Sequence, residues 1–361
     1  MARVLTIGDP HFKHRGISRY IQMSEEIVNR ATELKPDAVV VLGDTLHTHE
    51  STHQTPYDMA CKMIMRLSKI CPTIVLIGNH DYQSNQEYLS DKHFFNPLKQ
   101  WDNVTIVDKA LEIQIGKYTF GACPYVYPGL FKKALLTHFT PDSLLKCRAI
   151  FGHQEMRDVQ LGPIKSEIGD IWEDEMPLLI TGHIHEFCIL KTNIIYTGTP
   201  IQHNFGDGTD KGIYLFDFTD DNYGMRKIEL NVPMKRIFRV TLPEFRELEI
   251  PENIEAKIIV TVTPEQYSVA EKEGLVQYFR DNGATVIHED TTLKQFAPEI
   301  TECKPFLDIL YDKIKHDKCL SNIYTDIFAY TKSMEPTKSV EPTKSVEPTV
   351  KPVRKIIIKR K

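Results

Sequence analysis

The chain opens on an apolar run at residues 3–8, the length of a buried strand. A helical stripe follows over 17–34, where Ile17, Tyr20, Ile21, Ile27, Val28, Ala31 and Leu34 fall on one face, and Pro36 ends it. Residues 38–42 (Ala-Val-Val-Val-Leu) predict a second buried strand, 56–70 a second helix and 73–77 a third strand, the alternation that builds α/β layers. From Val104 onward short strand-like runs dominate, at 111–115, 118–122, 149–151, 178–180, 193–196 and 212–216, and suggest a second sheet facing the first. The expectation is an α/β fold, a two-sheet sandwich flanked by helices, over 1–232. After residue 232 the texture changes. Strands at 238–242 and 256–262, a helix over 265–282 and a strand at 285–288 predict a small separate α/β unit within 233–297. Residues 298–331 carry helical patterning through Phe306, Ile309, Leu310, Ile314, Ile323, Ile327 and Phe328, which reads either as a helix folded onto its own domain or as a partner-docking helix. In 332–361 Glu-Pro-Thr-Lys-Ser-Val recurs from Glu335 and Glu341 and gives way to a basic end; a Pro-punctuated repeat of this kind is expected to be disordered.

Composition narrows the class. With 361 residues, 41% hydrophobic and 26% charged, the body is that of an ordinary folded protein. Seven scattered cysteines without a Cys-x-x-Cys argue against a disulfide framework or a cysteine zinc knuckle, and point to a reducing compartment. No apolar run reaches membrane-span length, and the strand-like run begins too close to Met1 to leave room for a signal peptide. The expectation is a soluble intracellular protein with no membrane association, cytoplasmic and nuclear sites being equally compatible. The net charge of −5 hides an asymmetry: residues 331–361 hold nine basic against three acidic side chains, so the body is strongly acidic. An acidic body with 14 His suits a protein that concentrates cations at a site. The basic tail could touch DNA, act as a nuclear import signal or solubilise the chain.

The chemistry is written at the strand ends. Gly8-Asp9-Pro10-His11, Gly43-Asp44-Thr45-Leu46-His47 and Gly78-Asn79-His80-Asp81 end the first three strands, and Gly152-His153 and Gly182-His183-Ile184-His185 follow later apolar runs. Each glycine lets a buried strand turn sharply and present a ligand-type side chain at the carboxyl edge of a sheet. One Gly-His pair is more often a turn; five such ends in this order carry the oxygen and imidazole donors that hard to borderline divalent ions take, with no thiolate. Two ions a few ångströms apart need a bridging carboxylate, and Asp44 is the natural bridge.

This ordered series resembles the signature of the calcineurin-like metallophosphoesterases over about residues 3–217. Gly43–His47 lacks the Asp-Arg-Gly continuation of protein serine/threonine phosphatases. The segment Tyr196-Thr197-Gly198-Thr199-Pro200 through Lys211-Gly212 is instead similar to the DNA repair nucleases of the SbcD type and their phage recombination-endonuclease relatives. That resemblance implies one metal held by Asp9, His11, Asp44 and His185, and another by Asp44, Asn79, His153 and His183. It leaves His80 uncoordinated, facing the scissile phosphate as general acid or electrostatic stabiliser. Asp81 either orients His80 or is a carboxylate at a helix N-terminus; His47 either positions DNA for exonuclease action or is a solvent-facing loop histidine. His14, His49, His53 and His203 match no ligand position.

By the same resemblance, residues 1–232 are a nuclease domain, 233–297 a capping domain and 298–331 the docking element for an SMC-like ATPase of the SbcC type, in a homodimer. The implied function is a manganese-dependent DNA nuclease, exonuclease or endonuclease or both, using a metal-activated water in recombination and repair. The alternative is a phosphodiesterase acting on cyclic nucleotides or other small phosphoesters.

Overall fold

A computed structural model describes residues 1–292 apart from positions 50, 52 and 163, with scattered positions between 310 and 324. Apart from those positions, the segment 298–331 and the repeat tail 332–361 lie outside the described residues. No helix among the described residues is long and apolar enough to cross a membrane.

The first half alternates as its sequence dictates: β1 (Ala2–Ile7), α1 (Ile17–Leu34), β2 (Ala38–Val41), α2 (Gln54–Ser68), β3 (Thr73–Leu76) and β4 (Val104–Val107). Then come β5 (Leu111–Ile115), β6 (Tyr118–Ala122), α3 (Phe131–Leu135), α4 (Pro141–Leu145), β7 (Ala149–His153), β8 (Gln160–Leu161) and β9 (Ile164–Lys165). The core closes with β10 (Leu178–Gly182), β11 (Cys188–Lys191), β12 (Ile194–Tyr196), β13 (Ile213–Phe218) and β14 (Tyr223–Ile228).

Two six-stranded sheets result, ordered β14-β13-β1-β2-β3-β4 and β11-β12-β10-β7-β6-β5. β1 to β4 run parallel, and so do β6, β7, β10 and β12. Period-2 alternation decides what each strand buries. Val4, Val40, Leu42, Ile74 and Leu76 meet Phe120, Phe151, Ile180 and Ile195 between the sheets, while Leu5, Ile7, Val39, Val41 and Val75 pack with α1 and α2. Strands buried on both faces explain the near-continuous apolar runs, each fully buried aliphatic or Phe side chain contributing about 1.5–3 kcal/mol. The run at 212–216, expected in the second sheet, joins the first: β13 pairs antiparallel with β1, from Ala2↔Phe218 to Thr6↔Tyr214. Local pattern names a strand but not its long-range partner.

After residue 232 a three-stranded parallel sheet forms from β15 (Met234–Val240), β16 (Ile254–Val262) and β17 (Thr285–Asp290), with α5 (Leu242–Glu247), α6 (Pro264–Lys272) and α7 (Leu275–Asp281) around its own core of Phe245, Ile258, Val260 and Phe279. The single helix expected over 265–282 is two. Gly274, at φ 78°, stops α6 and starts α7 in the left-handed region that glycine enters without a side-chain clash.

Candidate dimetal site

The carboxyl ends of β1, β2, β3, β7 and β10 converge; β7 ends on His153 itself, and the turns beyond the others carry Asp9 and His11, Asp44, Asn79, and His183 and His185. The turns are wound tightly. Asp9 (φ 27°), His11 (φ 45°), Asp44 (φ 47°) and His183 (φ 82°) all occupy positive φ, a conformation that costs a non-glycine residue about 1–3 kcal/mol and persists only where neighbours enforce it. The glycines are required by close approach: a Cβ on Gly78 would lie 2.2 Å from Asp44 Oδ1, and one on Gly182 would lie 2.3 Å from Asp9 Oδ1.

Ligand-type atoms of Asp9, His11 and His185 lie within 4.8 Å of one another, as do those of Asp44, His153 and His183. Asp44 spans the two groups. Its Oδ2 is 3.6 Å from His11 Nε2 and its Oδ1 is 3.4 Å from His153 Nε2. Asn79 Oδ1 stands 3.0 Å from both His153 Nε2 and His183 Nδ1. His153 Nδ1 donates to the Leu42 carbonyl at 2.7 Å, which turns the Nε2 lone pair toward the carboxylate and amide oxygens. Across the site, His11 Nε2 and His185 Nε2 face each other at 3.0 Å. Donor atoms gathered this closely in a buried space suit cations, and the oxygen and imidazole set could hold two divalent ions: Asp9, His11, Asp44 and His185 for one, Asp44, Asn79, His153 and His183 for the other.

Protonation records the same demand. Burial pushes Asp9 up to about 8, with His153 opposing and the Asp44 charge adding to the rise. For His153 burial pulls downward, but Asp44 and Asp9 outweigh it and hold the imidazole up to about 9. Both shifts favour protonated Asp9 and His153 beside an ionised Asp44. Asp44 itself, despite its burial, is held well below the usual carboxylate range by His153 and His11.

His80 stands at the mouth. Its Nδ1 donates to the His47 carbonyl at 2.8 Å, leaving Nε2 as the proton-exchanging atom, 4.0 Å from Asp44 Oδ2. The rings of His47 and His49 lie nearly parallel to it, with centroids 5.6 and 4.4 Å away. His47 therefore touches His80 through both ring and backbone, and half-burial pulls its own pKa down to about 4. Asp81 stands elsewhere than expected. It follows no helix start, and its carboxylate accepts from the Gly78, Thr45 and Leu46 amides at 3.0, 3.2 and 2.9 Å, tying the second and third ligand turns together instead of reaching the His80 ring.

Several neighbours were not legible as site residues. Glu155 Oε2 approaches His183 Nε2 at 3.9 Å, two positions past His153 and so on the same side of the extended chain. The Tyr125 ring lies 5.7 Å from that of His183. His203 Nε2 donates to the Asp9 carbonyl at 3.0 Å while its Nδ1 meets Tyr20 Oη at 3.2 Å. Only the position of His203 inside the Thr199–Asp207 segment could have marked it.

A family model, calcineurin-like phosphoesterase, matches residues 2–187, and the chain belongs to that family. The chain is 38% identical over 280 residues to protein 244L of Invertebrate iridescent virus 6, named as a phosphoesterase, covering 76% of this chain and 99% of that one. Protein 078R of Invertebrate iridescent virus 3, named likewise, is 31% identical over 318 residues, covering 86% of this chain and 92% of its own. Among solved structures, a dimetal phosphatase from Danio rerio is 13% identical over 63% of this chain and 97% of its own, with a TM-score of 0.38. By the family match and the two viral relatives, phosphoester hydrolysis is the activity of the fold that carries this site.

Proposed function

We propose that the chain is a DNA nuclease subunit that hydrolyses phosphodiester bonds with two divalent metals, manganese foremost, in DNA recombination and repair. The observation that carries the choice of a polymer over a small phosphoester is the seating of the β15–β17 unit. Arg19 on α1 donates to the carbonyls of Gln202 (3.2 Å) and Pro233 and lies 3.4 Å from Glu255 on β16, while the Lys235 amide donates to Gln202 Oε1 at 2.8 Å. Gln202 adjoins His203, which holds the Asp9 carbonyl. The added unit thus borders the segment that supports a metal ligand and lengthens the site's rim. Half-buried Lys13, two residues past His11, forms no ion pair among the described residues and offers a cation to a backbone phosphate there.

Bound in the two ligand sets, the metals supply Lewis-acid polarisation of the phosphoryl group and a water acidic enough to attack it near neutral pH. Asp44 fixes the spacing of the two sets and Asn79 caps the second. His153 is held in one tautomer by Leu42. His80, braced by His47 and His49, keeps its Nε2 above Asp44, where the charge of an incoming phosphate favours the protonated ring and a proton can pass to the leaving oxygen. An acidic body gives weak autonomous grip on a polyanion, so a partner supplies it: an SMC-like ATPase of the SbcC type, docked through 298–331, on a homodimeric nuclease.

The test is hydrolysis of end-labelled linear duplex and single-stranded DNA with manganese, beside bis-p-nitrophenyl phosphate, comparing the native protein with His80→Ala. Cutting of DNA that disappears in His80→Ala while metal stays bound supports the reading. Hydrolysis of the small diester alone, even with a candidate ATPase added, transfers the assignment to a small-phosphoester phosphodiesterase.

A further inference from the structure

Beside the ligand cluster lies a cavity of about 440 Å³ for which the reading above has no use. His183 and His185 form its side toward the metal sets. Buried Val159 and Ile184 and half-buried Leu161 and Cys188 give it a largely apolar lining. Over one side stands the β8–β9 hairpin, paired through Gln160↔Lys165 and Leu161↔Ile164. The apolar character continues outward: Ile164 is 65% exposed, Ile168 63% and Ile189 55%. An apolar recess opening directly onto metal ligands is costly to keep hydrated and suits a flat, weakly polar group attached to the phosphate under attack.

The geometry points to a nucleobase subsite: the purine or pyrimidine ring of the nucleotide flanking the scissile phosphodiester leaves its stack and lodges among Val159, Leu161, Ile184 and Cys188. This rests on the nuclease reading. The volume lies within the range of about 300–1,000 Å³ of small-ligand pockets. A base lodges in such a recess only after it has left its stack and its pairing partner, so the strand at the cut is expected to be unpaired. Unpaired bases are gripped through their faces whatever their identity, which gives a strand preference without sequence specificity.

The test uses the full chain with manganese and single-stranded oligonucleotides carrying one abasic residue at successive positions, with bis-p-nitrophenyl phosphate cleaved in parallel by the unaltered protein. An abasic residue at one flanking position is expected to slow cutting of the neighbouring bond about 10-fold and to leave other bonds unchanged. Leu161→Asp, a change at the half-buried position of an otherwise exposed hairpin, is expected to slow cutting of intact strands about 10-fold and to erase the abasic difference. Equal cutting at every abasic position, or an abasic difference that survives Leu161→Asp, overturns the subsite while the nuclease stands. Hydrolysis of the small diester with no cutting of any oligonucleotide overturns both.

Discussion

His203 Nε2 stands 3.0 Å from the backbone carbonyl of Asp9, and through that one hydrogen bond the Thr199–Asp207 segment sets where a carboxylate of the candidate dimetal site lies. The other ring nitrogen is fixed by Tyr20 Oη at 3.2 Å, so the imidazole cannot rotate away. Partners behind a ligand usually govern metal affinity by about 10- to 100-fold. His203→Ala is therefore expected to weaken manganese binding by about that factor, read by isothermal titration, and His203→Gln, which keeps a donor, should recover part of it. Unchanged affinity in His203→Ala would remove the residue from the metal-supporting framework.

His80→Ala removes an imidazole at the mouth that neither metal set requires and whose Nε2 lies 4.0 Å from Asp44 Oδ2. Loss of a positioned proton donor costs about 10²–10⁴ in rate, so kcat for diester hydrolysis should fall in that range while two metals per chain remain by elemental analysis. A metal content that falls together with kcat would make His80 a ligand.

Gly78→Ala and Gly182→Ala test the close packing of the turns. The new methyl would collide with Asp44 at 2.2 Å or Asp9 at 2.3 Å, and the backbone atoms there cannot yield. Each substitution is expected to abolish binding of at least one metal and to lower the thermal midpoint of the metal-free protein. Alanine at exposed Gly224, which like Gly78 and Gly182 has no positive φ and whose added methyl would meet only Asp217 Cβ at 4.0 Å, is the control that isolates the clash.

The raised values of Asp9 and His153 make the metal-free fold pH-dependent. Asp9 rises from its ordinary 3.8 to about 8 on folding, and His153 from 6.5 to about 9, so the folded chain binds protons that the unfolded chain has released. Their contribution is complete below the unfolded values and is lost as pH climbs through 8 and 9. The depressed Asp44 acts oppositely but only near and below its ordinary 3.8, outside this window. Denaturant midpoints measured in chelator should fall steadily from pH 5 to pH 9.5, and manganese should flatten the curve. Metal binding at pH 7 should release protons, measured by calorimetry in buffers of differing ionisation enthalpy.

The pattern of apolar positions was enough to name β1, α1, β2, α2 and β3, because strands buried on both faces and a helix with one buried stripe leave different periodicities. The strand-end residues Asp9, His11, Asp44, Asn79, His153, His183 and His185 were legible as candidates for a related reason: one glycine after an apolar run followed by Asp, Asn or His is more often a turn, but five such ends in this order gather a donor set that turns alone do not need. What pattern cannot encode is distance across the chain. That β13 extends the first sheet, that Asp81 ties two turns by backbone amides, that His49 and His47 brace His80, and that Glu155 and His203 stand behind the ligands all depend on packing between segments up to about two hundred residues apart. Local sequence fixes what each turn offers chemically; only the closing of two sheets against one another decides which of those offers meet, and at what spacing a carboxylate such as Asp44 can serve two ions at once.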